Sequence, residues 1–182
     1  MRVFIGIEAS DEVRQALERV QQEFSGCSAK VKWVPPENIH LTMKFLGDID
    51  DEMAGKVRTA MAEAAGGGPI SLRVDGLGRF PPRGKPRTIW AGVSDGADAV
   101  ERLFKELDRA LRRLGFEKER RFVPHLTIGR VKSPKGAEEL TPVLEQHAGT
   151  PFGSCDAVDM VLFRSTLTPQ GAIYEVVARQ AL

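Results

Sequence analysis

The sequence predicts an α+β fold of two lobes, in which two antiparallel sheets line a central cleft, a pseudo-twofold axis relates the lobes, and the helices lie on the outside. Three observations predict this fold. Segments with period-2 alternation are separated by amphipathic segments, which indicates strands alternating with helices. The tetrapeptide HLTM at 40–43 recurs as HLTI at 125–128. The segments downstream of the two copies also correspond, which indicates a duplicated unit.

The first half of the chain opens with alternation over residues 2–8, and Ser10 then supplies a helix N-cap with acidic residues in the first turn. Pro35-Pro36 ends a short strand, and the glycines at 66–68 end a second helix. The elements expected here are a strand at 2–8, a helix after Ser10, strands at 30–34 and 41–47, a helix at 50–64 and a strand at 70–80.

The second half shows the same kinds of segment. Apolar residues recur at helical spacing from Asp98 to Leu114, and Gly115 is a natural C-terminal stop. The elements expected here are a strand at 87–93, a helix at 98–114, a strand from about 122, a helix at 135–147, and strands at 155–165 and 172–179.

The internal repeat extends beyond the HLT segments. VDGLGRF at 74–80 resembles VDMVLFR at 158–164, and IWAGV at 89–93 resembles IYEVV at 173–177. Each unit is small for an independent core, so we expect one domain over 1–182. It would consist of two interleaved lobes, approximately 1–85 with the first HLT segment and 86–182 with the second.

Composition excludes several classes of protein. The 182 residues include 26 Lys and Arg against 25 Asp and Glu, so a polyanion would have to be bound by a local patch rather than by bulk charge. Two cysteines outside any CxxC pair are too few for a disulfide framework. The N-terminal apolar run is too short for a signal peptide, and no segment has the length of a membrane span. We therefore expect a cytoplasmic protein without membrane contact.

The two HLT segments predict an acid–base site. Alternation places each histidine on the same strand face as its threonine, His40 with Thr42 and His125 with Thr127. One imidazole can accept a proton while the other donates one, and hydroxyls can hydrogen-bond an anion without adding charge. No carboxylate cluster for a metal accompanies them. This set suits in-line displacement at phosphorus.

At this point the chain resembles the 2H phosphoesterase superfamily, whose signature is a pair of His-x-Thr-x motifs. The wider segments HLTMKFLGD (40–48), RTIWAGV (87–93) and PHLTIGR (124–130) are similar to its bacterial and archaeal branch, the RNA 2′,3′-cyclic phosphodiesterases, also called 2′-5′ RNA ligases. The resemblance covers nearly the whole chain. It implies a bilobal fold, no metal or other cofactor, and opening of a 2′,3′-cyclic phosphate to a 2′-phosphate.

The resemblance also implies roles for individual residues. The two motif histidines, His40 and His125, are the catalytic acid and base. The motif threonines, Thr42 and Thr127, bind the phosphate, and Arg130 contributes to the same site. As a mechanism, His125 activates water and His40 protonates the departing 3′ oxygen, although near-symmetry leaves the reverse assignment open.

The directions of the side chains near the motifs depend on the regularity of the strands. Regular alternation would point Arg130 away from His125, and a bulge at Gly129 would return it to the groove. Lys44 is in phase with His40 and Thr42, where it could either reach a phosphate or be solvated at the far end of the strand. The basic run at 79–87 is either a local RNA patch or a solvated loop. Candidates for stacking on a base are Trp33, Trp90 and Phe122, although core packing is favoured for Trp90 because it lies within a repeated apolar strand.

The expected activity is metal-independent hydrolysis of 2′,3′-cyclic phosphate ends of RNA or oligonucleotides by a monomer without an obligate protein partner. Three alternatives stay open at this stage. The reaction could run as 2′-5′ ligation, the substrate could be a small cyclic nucleotide, or the chain could be a non-catalytic RNA-binding module.

Overall fold

A computed structural model describes residues 1–169 and 171–182. In this part of the chain the strands are β1 (Arg2–Glu8), β2 (Val31–Trp33), β3 (His40–Asp48), β4 (Ile70–Phe80), β5 (Thr88–Val93), β6 (His125–Val131), β7 (Pro151–Ala157), β8 (Asp159–Leu167) and β9 (Ala172–Ala181). The α-helices are α1 (Asp11–Gln22), α2 (Asp51–Ala64), α3 (Ala97–Arg113) and α4 (Leu140–Gln146). Among the described residues, no helix combines the length and apolarity needed to cross a bilayer.

The strands form two antiparallel halves that meet along the two HLT strands. The order is β7-β4-β5-β6 in one half and β3-β1-β8-β9 in the other, and β2 also pairs with β6. A single residue pair, Leu41 with Leu126, joins β3 to β6. Each half therefore has its HLT strand at the inner edge, and the predicted fold class is confirmed.

The helices cover one face of the strands and leave the other face free. Ser10 Oγ accepts a hydrogen bond from Val13 N at 3.2 Å, and Asp50 Oδ1 accepts one from Met53 N at 2.8 Å, so side chains cap α1 and α2. The apolar sides of all four helices share one core with the strands. Fully buried members of this core include Leu17, Met61, Leu107, Leu111 and Leu140.

Two expected elements begin later than predicted, and one strand was not expected. The helix predicted at 135–147 begins only at Leu140, because Gly136 has a φ of +71° and a single 3₁₀ turn follows it. The strand expected from about 122 begins at His125. The strand β7 was missed, since Pro151 and Gly153 within it weaken a strand pattern.

Of the two pairs of similar segments downstream of the HLT motifs, one pair occupies equivalent positions in the sheet and the other does not. β4 and β8, which carry VDGLGRF and VDMVLFR, each lie two strands outward from an HLT strand. β5 lies directly beside β6, whereas β9 lies at the outer edge of its half. The positional counterpart of β5 is therefore β1, and the likeness of IWAGV to IYEVV does not reflect equivalent positions.

Candidate active site

The two HLT strands present their polar side chains on one common face. Leu41 and Leu126 are paired across β3 and β6, and each is only 2% exposed in the helix-covered core. Because side chains alternate along a strand, the neighbours of these leucines point to the opposite face. This opposite face is called the groove face below, and the motif residues on it are His40, Thr42, His125 and Thr127.

The antiparallel register brings each histidine close to the threonine of the other motif. Continuing the Leu41–Leu126 pairing by one residue in each direction sets His40 opposite Thr127 and Thr42 opposite His125. The four predicted side chains therefore lie on the groove face, next to the one residue pair that joins the two HLT strands.

Each motif histidine is held by a main-chain carbonyl two residues before it. His40 Nδ1 lies 2.7 Å from Asn38 O, and His125 Nδ1 lies 2.7 Å from Val123 O. Because a carbonyl oxygen only accepts, Nδ1 carries the hydrogen in both neutral rings and Nε2 is left as the acceptor. Thr42 Oγ1, 2.9 Å from His40 Nε2, then donates to that nitrogen.

Aromatic rings enclose His40. Phe4 stacks on it with ring centroids 4.7 Å apart, and Tyr174 approaches edge-on at 5.4 Å. Gly6 makes room, since a Cβ there would lie 3.2 Å from His40 Cδ2 and 3.0 Å from a carbonyl oxygen. Burial, the largest effect, lowers the pKa of His40 to about 4. The hydrogen bond to Asn38 O opposes this shift.

His125 has a more open setting than His40. The ring of Phe80 meets it edge-on at 5.2 Å, and the indole of Trp90 lies 6.1 Å away. Burial lowers the pKa of His125 below the ordinary imidazole value, with opposition from the hydrogen bond to Val123 O and a further lowering by the Arg130 charge. Both rings are thus neutral near pH 7 in the free protein.

A β-bulge turns Arg130 to the groove face. Thr127 pairs with Trp90 and Gly129 with Ile89, so the intervening Ile128 has no partner on β5. Beyond this bulge Arg130 lies opposite Thr88. Thr88 in turn lies opposite Phe80, whose ring contacts His125, so this row of side chains belongs to the groove face. The structure therefore brings all five predicted site residues to one face.

The comparisons with known proteins are consistent with the duplicated site. A family model described as LigT-like phosphoesterase matches the chain twice, over residues 7–90 and 92–174, and each match contains one HLT motif. The chain belongs to this family. The family membership predicted from the two motifs is confirmed.

Relatives of this LigT-like chain match it over nearly their full length. A protein named RNA 2′,3′-cyclic phosphodiesterase from Methanocaldococcus jannaschii is 38% identical and covers 97% of this chain and 98% of its own. A protein of the same name from Aquifex aeolicus is 36% identical, with coverage of 97% and 95%. The crystal structure of TT0787 from Thermus thermophilus superposes with a TM-score of 0.82 at 29% identity, covering 100% of this chain and 98% of that one.

The prediction that Lys44 shares the face of His40 is wrong, because β3 also contains a bulge. Thr42 pairs with Gly6 and Lys44 with Ile5, so Met43 is the unpaired residue. Lys44 consequently turns toward the core, where its Nζ donates to Asp108 Oδ1 at 2.7 Å and to Glu117 O at 2.6 Å.

The two bulges occupy equivalent positions, each three residues after the motif histidine. They therefore give Phe45 and Arg130 equivalent places on the groove face of this LigT-like chain. Phe45 is 64% exposed, and its ring lies 5.8 Å from that of Phe4. The equivalent places thus carry an aromatic ring in one half and a cation in the other.

Of the three aromatics proposed for base stacking, two pack away from the groove face. Phe122 stacks on Phe104 with centroids 4.0 Å apart, and Trp33 packs on Phe24 at 5.1 Å. Only Trp90 borders a motif histidine.

Sequence reasoning missed the side chains that surround His40, since they come from β1, β8 and β9, far apart in the chain. The missed residues are Phe4, Gly6, Phe163 and Tyr174, together with Arg14, whose charge lowers the pKa of His40. The alternation of β1, with aromatic Phe4 on its polar side, signalled one of them.

The third histidine, His147, is buried and hydrogen-bonded through both ring nitrogens. His147 is 9% exposed. Its Nε2 lies 2.7 Å from Glu23 Oε2, and its Nδ1 lies 3.0 Å from Thr150 Oγ1. It links the end of α1 to the turn before β7.

Proposed function

We propose that this chain is an RNA 2′,3′-cyclic phosphodiesterase that opens the cyclic phosphate at an RNA end to a 2′-phosphate without a metal. The observation that carries this proposal is that two imidazoles, each with its hydrogen on Nδ1 and Nε2 left as the acceptor, share one strand face with two hydroxyls. Relatives of that name at 36–38% identity over nearly the whole chain support it.

The order of the two pKa values favours His40 as the base and His125 as the acid, the reverse of the first assignment made from the sequence. A base must be neutral and an acid protonated in the reactive form, so the ring with the more strongly lowered pKa suits the base. His40 Nε2 takes a proton from water as the water oxygen bonds to phosphorus. The P–O3′ bond breaks, and His125 gives its proton to O3′, which leaves the phosphate on O2′.

Neutral donors and one cation hold the phosphate in this proposal. The Thr42 and Thr127 hydroxyls donate to its non-bridging oxygens, for which Thr42 exchanges its hydrogen bond to His40 Nε2. Arg130, which reaches the groove face through the bulge at Ile128, balances the charge that develops on these oxygens.

The pH dependence follows from the two lowered pKa values. We expect a bell-shaped dependence of kcat/KM on pH. Both of its apparent pKa values should lie below the ordinary imidazole pKa of about 6.5. Activity is lost as pH falls through about 4, where His40 becomes protonated. It is also lost as pH rises through the lowered pKa of His125. Initial rates on a 2′,3′-cyclic nucleotide, with circular dichroism as a check of folding, measure the profile; limbs centred above about 6.5 would contradict it.

The proposed activity is tested by incubating the purified chain with a short RNA that ends in a 2′,3′-cyclic phosphate, with and without EDTA. Within the described residues no three His, Cys, Asp or Glu side chains are grouped to hold a metal ion. We expect equal turnover in both samples and a product with a 2′-phosphate and a free 3′-hydroxyl. Absence of turnover, loss of turnover in EDTA, or a 3′-phosphate product would each reject the proposal.

A second arm of the same assay separates hydrolysis from ligation. A second RNA with a 5′-hydroxyl is added, since a 5′ oxygen could replace water in the attack on phosphorus and form a 2′-5′ linkage. We expect hydrolysis to dominate, because water is present in large excess over any 5′-hydroxyl end. A 2′-5′-linked RNA as the main product would favour the ligase alternative.

We also propose a cytoplasmic monomer. Both cysteines, Cys27 and Cys155, are unpaired thiols, which suits a reducing compartment. A single chain supplies both histidines and both threonines, so the site needs no second copy.

A further inference from the structure

The basic residues of this chain are strongly segregated around the strands β2, β5 and β6. Three segments, 28–36, 76–94 and 122–137, contain nine Lys and Arg and no Asp or Glu. The rest of the chain then has 17 basic against 25 acidic residues. A net charge of +1 thus conceals one basic region on an otherwise acidic molecule.

Strand register places four of these cations together on the groove face. Lys32 lies opposite Arg130 across β2 and β6, and Arg130 belongs to the groove-face row that includes Phe80. Lys30 and Lys132 are the next positions of the same face, since Lys132 N donates to Lys30 O at 2.7 Å in the continued register. We call these four residues the β2–β6 patch.

The four side chains of the β2–β6 patch are exposed and available to a ligand. None of them takes part in a side-chain hydrogen bond or an ion pair with any residue that the structure describes. Two cations on α3 are different, since Arg109 pairs with Glu106 and Arg113 with Glu63. These four positive charges lie within two residues of one another along paired strands, so they repel. An anionic ligand would reduce this electrostatic repulsion.

We propose that the β2–β6 patch binds the RNA strand on the 5′ side of the cyclic end, so that the substrate is a polymer and not a cyclic mononucleotide. The inference rests on the proposed function, which fixes the terminal phosphate at the histidines. Arg130 borders that phosphate, and Lys32, Lys132 and Lys30 continue from it over about 7 Å of strand. Successive backbone phosphates meet these cations, and the bases stay free of sequence-specific contacts.

The test compares a 2′,3′-cyclic hexanucleotide with a 2′,3′-cyclic mononucleotide that lacks a 5′ phosphate. The variant is the triple substitution Lys30→Gln, Lys32→Gln, Lys132→Gln, which leaves Arg130 in place. We expect its KM for the hexanucleotide to rise about tenfold or more at moderate salt, with kcat nearly unchanged. Its kinetics on the mononucleotide should match those of the parent chain, which also shows that the variant is folded.

Salt dependence provides a second readout. For single strands the slope of log affinity against log salt is about −0.7 for each phosphate contact, so loss of three contacts should flatten the slope by about 2. The matched control is Arg102→Gln, Lys105→Gln, Arg112→Gln on the exposed side of α3, which removes the same charge from the helix-covered side. It should leave both the KM and the slope unchanged.

The possible results distinguish a failure of the β2–β6 patch to bind RNA from a failure of the proposed catalytic function. If neither substrate turns over, the proposed function fails. If both turn over and the triple variant keeps the parent's KM and salt slope for the hexanucleotide, the β2–β6 patch does not bind RNA. If the α3 control changes the KM as much as the triple variant does, the effect is bulk charge, and the patch is again rejected.

Discussion

His125→Ala and His40→Ala are each expected to lower kcat by about 10²- to 10⁴-fold, because each removes one of the two groups that we propose transfer protons. The fold should survive, since both rings lie on the groove face and outside the main core. Thermal unfolding midpoints should stay within about 4 °C of the parent chain. Single-turnover rates on a 2′,3′-cyclic substrate measure the loss, and either variant retaining more than about a tenth of the parent rate would remove that histidine from the mechanism.

A modified substrate distinguishes the acid from the base. In a cyclic phosphorothiolate with sulfur in place of O3′, the leaving thiolate needs little protonation, so an acid becomes dispensable. His125→Ala should therefore recover most of its activity on this substrate, whereas His40→Ala should not. The opposite pattern would restore the assignment with His125 as the base.

His147→Gln is the matched control for both substitutions. The ring of His147 bonds Glu23 and Thr150 far from the groove face, and glutamine cannot reproduce both contacts. We expect a loss of about 1–2 kcal/mol in unfolding free energy with kcat unchanged. This contrast between stability and turnover separates a packing histidine from the two histidines proposed as catalytic.

Much of the fold could be predicted because local signals agree with the final structure. Ser10 caps α1 as expected, and the strands β1 and β4 have the predicted bounds. The order of strands in the sheet was less accessible. β4 joins the half that contains β6, although it follows β3 in the chain. Two similar segments show only that their side-chain patterns agree. They do not show where each strand lies in the order of the sheet.

In the site, too, the local alternation of side chains could be predicted, whereas the irregularities in strand pairing could not. Alternation alone placed His40, Thr42, His125 and Thr127 on one face, because no bulge interrupts the first three residues of either motif. The bulges at Met43 and Ile128 lie at the end of the motifs, and each reverses the direction of the side chains that follow it. Lys44 therefore had the wrong predicted face, and the direction of Arg130 could not be decided.

The bulge in β3 creates the interaction with the largest expected effect on stability. Lys44 and Asp108 have side chains only 6% and 9% exposed, and their charged atoms lie 2.7 Å apart. Asp108 Oδ1 also accepts from Glu119 N, and Lys44 Nζ donates to Glu117 O. The pair therefore ties the core side of β3 to the segment that leads into the second motif.

Lys44→Met is expected to lower the free energy of unfolding by about 3–5 kcal/mol, because it leaves the Asp108 carboxylate buried without its cation. The double variant Lys44→Met, Asp108→Leu should recover about half of this loss, since no buried charge remains. Equilibrium urea unfolding of both variants at neutral pH measures the difference. A double variant no more stable than the single one would show that the loss of unfolding free energy comes from packing and not from the unpaired Asp108 charge.

The pH dependence of the same variants tests the electrostatic cause. Burial acts to raise the pKa of Asp108, but the hydrogen bonds from Lys44 and Glu119 outweigh it and hold that pKa below its ordinary value. In the parent chain this carboxylate stabilises the fold above the ordinary Asp range, and the contribution is lost as pH falls through the lowered pKa. In Lys44→Met the carboxylate can be protonated at higher pH, which removes its buried charge. The stability gap between the two proteins should therefore begin to narrow above the ordinary Asp pKa of about 4 and narrow further below it, whereas a loss of packing alone would leave the gap constant.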